Sequence, residues 1–266
     1  MFRLASAIAC VVLLSSCAMT PGIQPAAVAD LAPTGKVRAA INFGNPILAT
    51  LEASTGEARG VSVDLARELA RRLGVPVELV KFTAAGKVVD ALKSGEVDVG
   101  FVAIDPARAV DISYTKAYVL IEGAYLVRTD SAIRNNAEVD RPGVRVAVGA
   151  QSAYHLYLSR ELKQATIVRA PTSPTVTDVF VAQSLDVAAG VKQQLQADAR
   201  RIPGLRLLDG RFMVINQAMG TPRGRDAGAK YLTEFVEDVK VSGFVAQALA
   251  RNGIEGATVA PAGALE

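Results

Sequence analysis

The sequence pattern that decides the fold is Ala91-Leu92-Lys93-Ser94-Gly95-Glu96-Val97-Asp98-Val99, which is echoed by Phe180-Val181-Ala182-Gln183-Ser184-Leu185-Asp186-Val187. Each stretch combines the end of a helix, a tight turn and the opening of a strand with an apolar residue, an aspartate and a valine. The strand that begins at Val97 shows little polar alternation, which is typical of a strand buried on both faces of a parallel sheet. The echo therefore predicts two similar α/β units.

Around these stretches, short β-rich runs alternate with helical runs in two cycles. The first cycle predicts strands at 37–41, 75–80 and 97–102 and helices at 62–73 and 87–93. The second cycle predicts strands at 144–148, 165–169 and 185–189 and helices at 152–162 and 174–183. An extended run at 212–219 and helices at 225–241 and 243–251 close the chain.

Two such cycles indicate an α/β protein with two lobes, each a mostly parallel sheet flanked by helices. A ligand cleft is expected at the carboxyl ends of the strands, between the lobes. We expect the final helices to pack on the first lobe, so that lobe 1 comprises residues 36–121 and 215–266 and lobe 2 comprises residues 122–214. The two crossings, at 118–122 and 208–212, are the expected hinges.

The N-terminal region has the anatomy of an export signal. Residues 1–16 combine a positive start at Arg3 with an apolar run and end in Leu14-Ser15-Ser16 before Cys17, which resembles a bacterial lipobox. This predicts a lipoprotein signal peptide over 1–16, lipidation of Cys17 and a tether over 17–35, rich in alanine and proline. The alternative is secretory cleavage after Ala27-Val28-Ala29.

Composition excludes several classes of protein. Half of the 266 residues are hydrophobic, yet the body has no apolar run long enough for a membrane span. The net charge of +3 is spread over interspersed acidic and basic residues, which predicts no nucleic-acid partner. Beyond Cys17 the chain has no cysteine, and its one histidine cannot build a metal set, so neither a disulfide, a metal site nor a cofactor is expected.

Several motifs resemble family 3 of the bacterial extracellular solute-binding proteins, the periplasmic receptors of polar amino-acid importers. They are Gly60-Val61-Ser62-Val63-Asp64-Leu65, Leu92 to Asp98, Ile104-Asp105-Pro106-Ala107-Arg108, Ile112 to Tyr118, and Gly143 to Gly149 ahead of Gln151-Ser152. The resemblance implies a type II periplasmic-binding-protein fold. It also implies a periplasmic monomer that binds a small molecule, serves an ABC permease of the inner membrane and touches the membrane only through its lipid anchor.

Arg108 and Ser152 are the principal candidate binding residues. Asp105 can cap a helix that begins at Pro106, which would place Arg108 near the end of the strand at 97–102. In the family the matching arginine grips the ligand carboxylate, which then meets Ser152 and the amides of Ser152 and Ala153, next to Gln151. The alternatives are a solvated Arg108 paired with Asp105 or Asp111, and a Ser152 that only caps its own helix.

Departures from the family pattern bear on the ligand. Ala103 replaces a hydroxyl residue, and Asn45 stands where many members carry an aromatic lid, for which Phe43 is a substitute or simply a core residue. Gly190 and Val191 stand where the family places an acid for the ligand ammonium. Asp105 is an alternative source of the missing charge, but its capping role disfavours it. Because a buried ammonium without a carboxylate is costly, we expect an organic acid or a modified amino acid, or an ammonium held by Asn42 and Asn45.

Two other functions stay open. A cyclohexadienyl-dehydratase-like enzyme uses the same scaffold, but it requires a general acid or base in the cleft, and Gly190 and Val191 supply none. His155, three residues after Ser152, is expected to be a solvated surface residue, and no catalytic residue is predicted. A sensor or accessory role would use the same closure as transport.

Overall fold

The computed structural model describes residues 24–263 as a mixed α/β molecule in which helices flank a central sheet. The helices are α1 (Pro25–Leu31), α2 (Val61–Leu73), α3 (Ala85–Ser94), α4 (Ala153–Glu161), α5 (Val176–Ala182), α6 (Lys192–Arg201), α7 (Asp226–Val241) and α8 (Phe244–Arg251). The strands are β1 (Val37–Asn42), β2 (Thr50–Leu51), β3 (Ala58–Arg59), β4 (Val77–Phe82), β5 (Val99–Ala103), β6 (Ile112–Arg128), β7 (Arg145–Gly149), β8 (Thr166–Ala170), β9 (Val187–Val191), β10 (Leu205–Leu207), β11 (Met213–Pro222) and β12 (Thr258–Val259). Short 3₁₀ turns occur at Asn136–Glu138 and Ser173–Thr175.

Each lobe is built on three parallel strands. In the first lobe β1 lies between β4 and β5, and in the second lobe β7 lies between β8 and β9. Helix α2 shows how the sequence fixes this packing, because Leu65, Leu69 and Leu73 recur on one helical face and are all buried. The predicted two-lobed α/β fold is confirmed.

The two parallel sets are joined into one hydrogen-bonded sheet. Its strand order is β4-β1-β5-β11-β6-β9-β7-β8, with β11 and β6 antiparallel to each other and to the sets they join. The sequence indicated two sheets and did not predict β6, which runs for 17 residues from one lobe into the other. Its carboxyl-terminal part also pairs with β10, and its centre with β12.

The echo in the sequence corresponds to the same clamp in both lobes. In the first lobe the backbone N–H and the Nε of Arg38 donate to Asp98 Oδ2, and its Nη2 donates to the Gly95 carbonyl. In the second lobe the backbone N–H and the Nε of Arg145 donate to Asp186 Oδ2, and its Nη2 donates to the Ser184 carbonyl. Each clamp joins the start of a central strand to the turn that leads into its neighbour.

The expected tether over 17–35 is wrong for part of its length. Residues 25–31 form α1, which has proline at its first position and buries Ala27 and Leu31. Its Asp30 accepts hydrogen bonds from the Gly228 N–H (2.9 Å, Oδ2) and from Arg225 Nη1 (2.8 Å, carbonyl oxygen). The predicted signal peptide, Cys17 and the start of the tether lie outside the described residues.

No helix within residues 24–263 is both long and apolar enough to cross a membrane.

Candidate functional site

A cavity lies between the lobes, at the carboxyl ends of the parallel strands. It has a free volume of about 40 Å³, enough for roughly three water-sized groups, since one water needs roughly 10–15 Å³ on this scale. The residues that line it are Asn42, Gly44, Asn45, Pro46, Ala85, Phe101, Val102, Ala103, Arg108, Ser152, Ala153, Tyr154, Ser173, Val176, Gly190, Val191, Gln194, Leu195, Ile215 and Gln217.

Arg108 is the single charged residue of this lining within the described part of the chain. Its side chain is buried, with 4% exposed, and it donates from Nη1 to the Ala103 carbonyl (3.0 Å) and from Nη2 to the Gln151 carbonyl (2.7 Å). Burial lowers the pKa of Arg108. It forms no ion pair among residues 24–263, because Asp105 pairs with Arg160 and Asp111 with Lys93. The alternative of a solvated, paired arginine is therefore wrong.

The segment that carries Arg108 is a series of turns where a helix was expected. The Ala107 N–H donates to Asp105 Oδ1 (2.9 Å), as predicted for a capping aspartate. The amides of Arg108 and Ala109 both donate to the Asp105 carbonyl (3.0 and 3.1 Å), but no helix follows. These turns place the guanidinium beside the end of β5.

The second lobe presents the beginning of α4 to the cavity. Ser152 is the N-cap of α4, and its Oγ accepts from the His155 N–H (3.0 Å), while its own N–H donates to the Gly149 carbonyl (3.1 Å). Because the first N–H groups of a helix have no intrahelical acceptor, the amides of Ala153 and Tyr154 remain as donors. The Ser152 amide, one of the predicted ligand contacts, is thus engaged by the Gly149 carbonyl within the protein.

His155 is buried, so the expectation of a solvated histidine is wrong. Its Nδ1 faces the Gln151 N–H at 3.1 Å and its Nε2 faces the Nε of Arg169 at 3.2 Å. A neutral imidazole has one acceptor nitrogen and satisfies one of these donors. Burial and the Arg169 charge lower the pKa of His155. His155 does not line the cavity and instead supports Gln151.

Three contacts hold the lobes together beside the cavity. Arg108 donates to the Gln151 carbonyl (2.7 Å), and Arg160 of α4 forms an ion pair with Asp105 (2.9 Å). The Gln151 side chain also packs on Gly86 in α3, where a Cβ would lie only 2.6 Å from the Gln151 Cβ. The structure is therefore that of a closed cleft.

The position at which the family carries an acid is occupied by a tightly packed glycine. A Cβ on Gly190 would lie 3.3 Å from the Leu195 side chain, which would have to shift by a few tenths of an ångström to admit a larger residue. Lys192, the next charged residue, is drawn away from the cavity by an ion pair with Glu122 (2.7 Å). Within residues 24–263 the lining contains no carboxylate to face an ammonium group.

The structure brings together eight of the residues predicted for the site, namely Asn42, Asn45, Ala103, Arg108, Ser152, Ala153, Gly190 and Val191. Three others do not line the cavity. Phe43 packs against the hydrophobic core, Asp105 is engaged by Arg160, and Gln151 contributes its carbonyl to Arg108.

Sequence reasoning missed several residues of the lining, and they come from separate elements. Those with polar side chains are Tyr154 in α4, Ser173 before α5, Gln194 in α6 and Gln217 in β11. Only Tyr154 carried a signal, because it lies two residues after the predicted N-cap and therefore in the first turn of that helix.

Asn45 adds a buried acceptor on the side of the first lobe. Its Oδ1 has no hydrogen-bond partner within residues 24–263, whereas Asn42 Oδ1 accepts from the Gly44 N–H at 2.9 Å. The described residues contain no cluster of three potential metal ligands among histidine, cysteine, aspartate and glutamate. The site is therefore an apolar chamber with one cation, two helix amides and a few neutral polar groups.

Comparison with known proteins identifies the scaffold. The family model of the bacterial extracellular solute-binding proteins, family 3, matches residues 38–253. No match is found among curated protein sequences. A solved structure of a mutant of ArgBP from T. maritima is 19% identical, with a TM-score of 0.73 over 86% of this chain and 100% of that chain.

Two further solved structures have different roles on the same fold. A histidine kinase sensor domain with similarity to periplasmic binding proteins is 22% identical, with a TM-score of 0.73 over 85% of this chain and 98% of that one. The ancestral amino acid-binding protein AncCDT-1, a precursor of cyclohexadienyl dehydratase, is 19% identical, with a TM-score of 0.71 over 84% of this chain and 97% of that chain. At these identities the similarity shows the fold alone.

Proposed function

Because the chain belongs to the bacterial extracellular solute-binding proteins, family 3, we propose that it captures a small carboxylate-bearing solute in the interlobe cleft for an ABC importer. The solute is an organic acid or a modified amino acid. The observation that carries this proposal is the Arg108 guanidinium, which is buried in the cavity wall and forms no ion pair within residues 24–263.

The N–H groups of Arg108 that have no acceptor within residues 24–263 suit a carboxylate. A guanidinium has five N–H groups. Two of those of Arg108 donate to carbonyl oxygens and the Tyr114 hydroxyl lies beside the same guanidinium, so at most three remain for a ligand. A carboxylate can accept two parallel charge-assisted hydrogen bonds from such a fork. The Ala153 amide at the start of α4 offers a further donor from the opposite lobe. An anion would thus offset the desolvation of the buried cation.

The opposite end of the ligand is expected to carry no ammonium group. Gly190 and Val191 offer no negative charge, and the neutral acceptors of Asn42 and Asn45 are weak substitutes for a buried carboxylate. Apolar residues such as Phe101, Leu195 and Ile215 form much of the remaining wall. This combination favours an acid with a short apolar body.

We place this function in the periplasm, with the protein acting as a monomer that is anchored by lipidated Cys17 and docks on an inner-membrane permease. Membership of an extracellular solute-binding family supports the compartment and the transporter partner. Uptake of the identified acid should fall to the background rate in cells that lack the protein and recover when it is restored.

An enzymatic role is less well supported than binding. General acid-base catalysis needs a positioned proton-transfer group, and the described lining offers neither a carboxylate nor an imidazole. Mass spectrometry of the ligand after prolonged incubation separates the two functions, since recovery of the unchanged molecule is expected. A sensor role would instead require specific binding to a signalling partner in the closed state.

The test of the binding proposal is a thermal-shift screen followed by calorimetry. Organic acids and modified amino acids should stabilise the protein more than the standard L-amino acids do. Arg108→Ala should weaken the best ligand by roughly 2–5 kcal/mol, the cost of removing one partner of a buried charge pair. Arg67→Ala is the matched control, because Arg67 is exposed in an ion pair with Glu57.

Two results would contradict the proposal. Preferential binding of unmodified arginine, lysine or glutamine would refute the ligand class. A loss below about 0.5 kcal/mol for Arg108→Ala, the size expected for an exposed ion pair, would refute the role of Arg108 and the location of the site.

A further inference from the structure

Tyr154 brings a second unsatisfied group to the cavity, on the lobe opposite Arg108. It lines the cavity, its side chain is only 2% exposed, and its hydroxyl has no hydrogen-bond partner within residues 24–263. Ser173, Ser152 and the Gly149 backbone lie close enough to this hydroxyl to offset part of the effect of burial on its pKa, although none of them forms a hydrogen bond of good geometry with it. Because an unsatisfied buried hydroxyl is unfavourable, its presence in a ligand cavity requires a functional explanation.

The position of this hydroxyl depends on Gly149 at the end of β7. A Cβ on Gly149 would lie 2.7 Å from Tyr154 Oη and 2.9 Å from Ser173 Oγ. Two hydroxyl groups from different elements therefore converge on the space that any other residue would fill. Tyr154 and Ser173, here termed the hydroxyl pair, both line the cavity that contains Arg108.

The chemistry of the hydroxyl pair is neutral. Burial raises the pKa of Tyr154, so its phenol stays protonated and can donate as well as accept. A ligand hydroxyl can exchange both kinds of hydrogen bond with the pair, and a ligand carbonyl can accept from it. An ammonium group would find no compensating charge there. On the first lobe the unpartnered Asn45 Oδ1 would accept from the same kind of ligand hydroxyl.

We propose that the hydroxyl pair is a specificity subsite that binds a neutral hydroxyl or carbonyl group of the ligand, so that the substrate class is hydroxy or oxo acids. This inference rests on the proposed function, because Arg108 must bind the carboxylate of the ligand while the hydroxyl pair binds its hydroxyl or carbonyl group. Arg108 thus sets whether an acid binds, and Tyr154 and Ser173 set which acid binds.

The test uses four acids with one carbon skeleton: butanoate, 2-hydroxybutanoate, 3-hydroxybutanoate and 2-oxobutanoate. Calorimetry with the wild-type protein should show that at least one of the three substituted acids binds roughly tenfold more tightly than butanoate. This ratio of the two Kd values is the one expected from about one additional hydrogen bond. Tyr154→Phe removes only the hydroxyl oxygen and should reduce this ratio to about two or less, because it weakens the binding of the substituted acids more than that of butanoate.

Ser173→Ala is the second variant, and it should lower the same ratio through the other member of the pair. Thermal unfolding of both variants without ligand checks the fold, and Tyr154→Phe should be at least as stable as the wild type because the lost hydroxyl has no partner. Arg108→Gln should abolish the binding of all four acids, which tests the proposed function separately.

The outcomes are distinguishable. Equal affinities of butanoate and the substituted acids, or a ratio that survives in both Tyr154→Phe and Ser173→Ala, would overturn the subsite and leave the proposed function standing. No binding of any of the four acids would overturn both. If the ratio disappears in Tyr154→Phe but Arg108→Gln binds as the wild type does, the subsite stands and the role of Arg108 in the proposed function fails.

Discussion

The two arginine–aspartate clamps provide a matched pair of substitutions, Asp98→Asn and Asp186→Asn. Their hydrogen bonds follow the same pattern, but their environments differ. The Asp98 side chain is 0% exposed, and its partners Arg38 and Arg225 are each 21% exposed. The Asp186 side chain is 38% exposed and Arg145 is 44% exposed. Asp98 also accepts from Arg38 Nη2 and Arg225 Nη1 at Oδ1, so the comparison sets a buried aspartate with two arginine partners against a partly exposed aspartate with one.

Asp98→Asn should be far more destabilising than Asp186→Asn. Removal of one partner of a buried ion pair costs about 3–5 kcal/mol, and the partial exposure of both arginines places the expected loss near the lower end, at about 3 kcal/mol. An exposed ion pair is worth about 0–1 kcal/mol, so Asp186→Asn should lie in that range. The difference is about 2–3 kcal/mol in the free energy of unfolding.

Urea denaturation followed by circular dichroism measures both values, provided that the slope with denaturant stays constant. The dependence of the free energy of unfolding on pH, in the acid range, provides an independent check of the role of Asp98. Burial alone would raise the pKa of Asp98, but hydrogen bonds from Arg38 and Arg225 outweigh it and lower the pKa. The stabilisation is thus present above about pH 4, the unfolded-state pKa, and is lost as the pH falls through the lower native value. Equal losses for the two variants would refute the reasoning.

The remaining predictions concern pH, processing and motion. Because the pKa of His155 is lowered in the native state, the unfolded chain binds a proton first, and the free energy of unfolding should decrease as the pH falls below about 6.5. His155→Gln should flatten the urea-measured profile between about pH 7.5 and 5, and an unchanged slope would contradict this. Cys17→Ala should abolish lipid labelling and leave the precursor unprocessed. A mature protein that begins at Asp30 would refute the lipobox, and it would also lack the first five residues of α1. Small-angle scattering should show a smaller radius of gyration with a saturating acid ligand than without it, and a constant radius would argue for a rigid scaffold.

The sequence permitted prediction of those elements whose signals are local. The apolar runs at 37–41 and 144–148 lie within one residue of β1 and β7, because these central strands are buried on both faces. Helix α2 was predicted to within one residue by its leucine spacing and by Gly74 at its end. The family motifs located Arg108 at the cavity for the same reason, since the capping Asp105 and the strand end lie beside it in sequence.

Elements that depend on distant partners were not predictable in this way. Strand β6 is defined by pairing with β11, about 100 residues later, and with β9 in the other lobe. Helix α6 buries only Leu195 and Asp198, so it has no apolar stripe to detect. Helix α1 looked like a linker because its composition is simple, although Ala27 and Leu31 have the spacing of one buried face.

The site residues that the sequence did not predict were missed for the same reason, since they depend on contacts between distant parts of the chain. Ser173, Leu195 and Gln217 belong to three separate regions of the chain, and they meet only because the lobes fold against a shared sheet. His155 illustrates the converse error. A single polar residue on a helix suggests a surface position, but its burial follows from Gln151 and Arg169, which lie on neighbouring segments.

Helix α1 attaches the N-terminal end of the described chain to the first lobe. It packs on α7, which packs on α8 and β6, and α8 in turn contacts α2 of the first lobe. If Cys17 is lipidated, only residues 18–24 separate the anchor from this helix, a span of at most roughly 25 Å. The first lobe would then remain at a nearly fixed height above the bilayer, while the second lobe opens and closes. Such a short connection would raise the effective concentration of the cleft at any membrane partner and would remove the need for free diffusion between encounters.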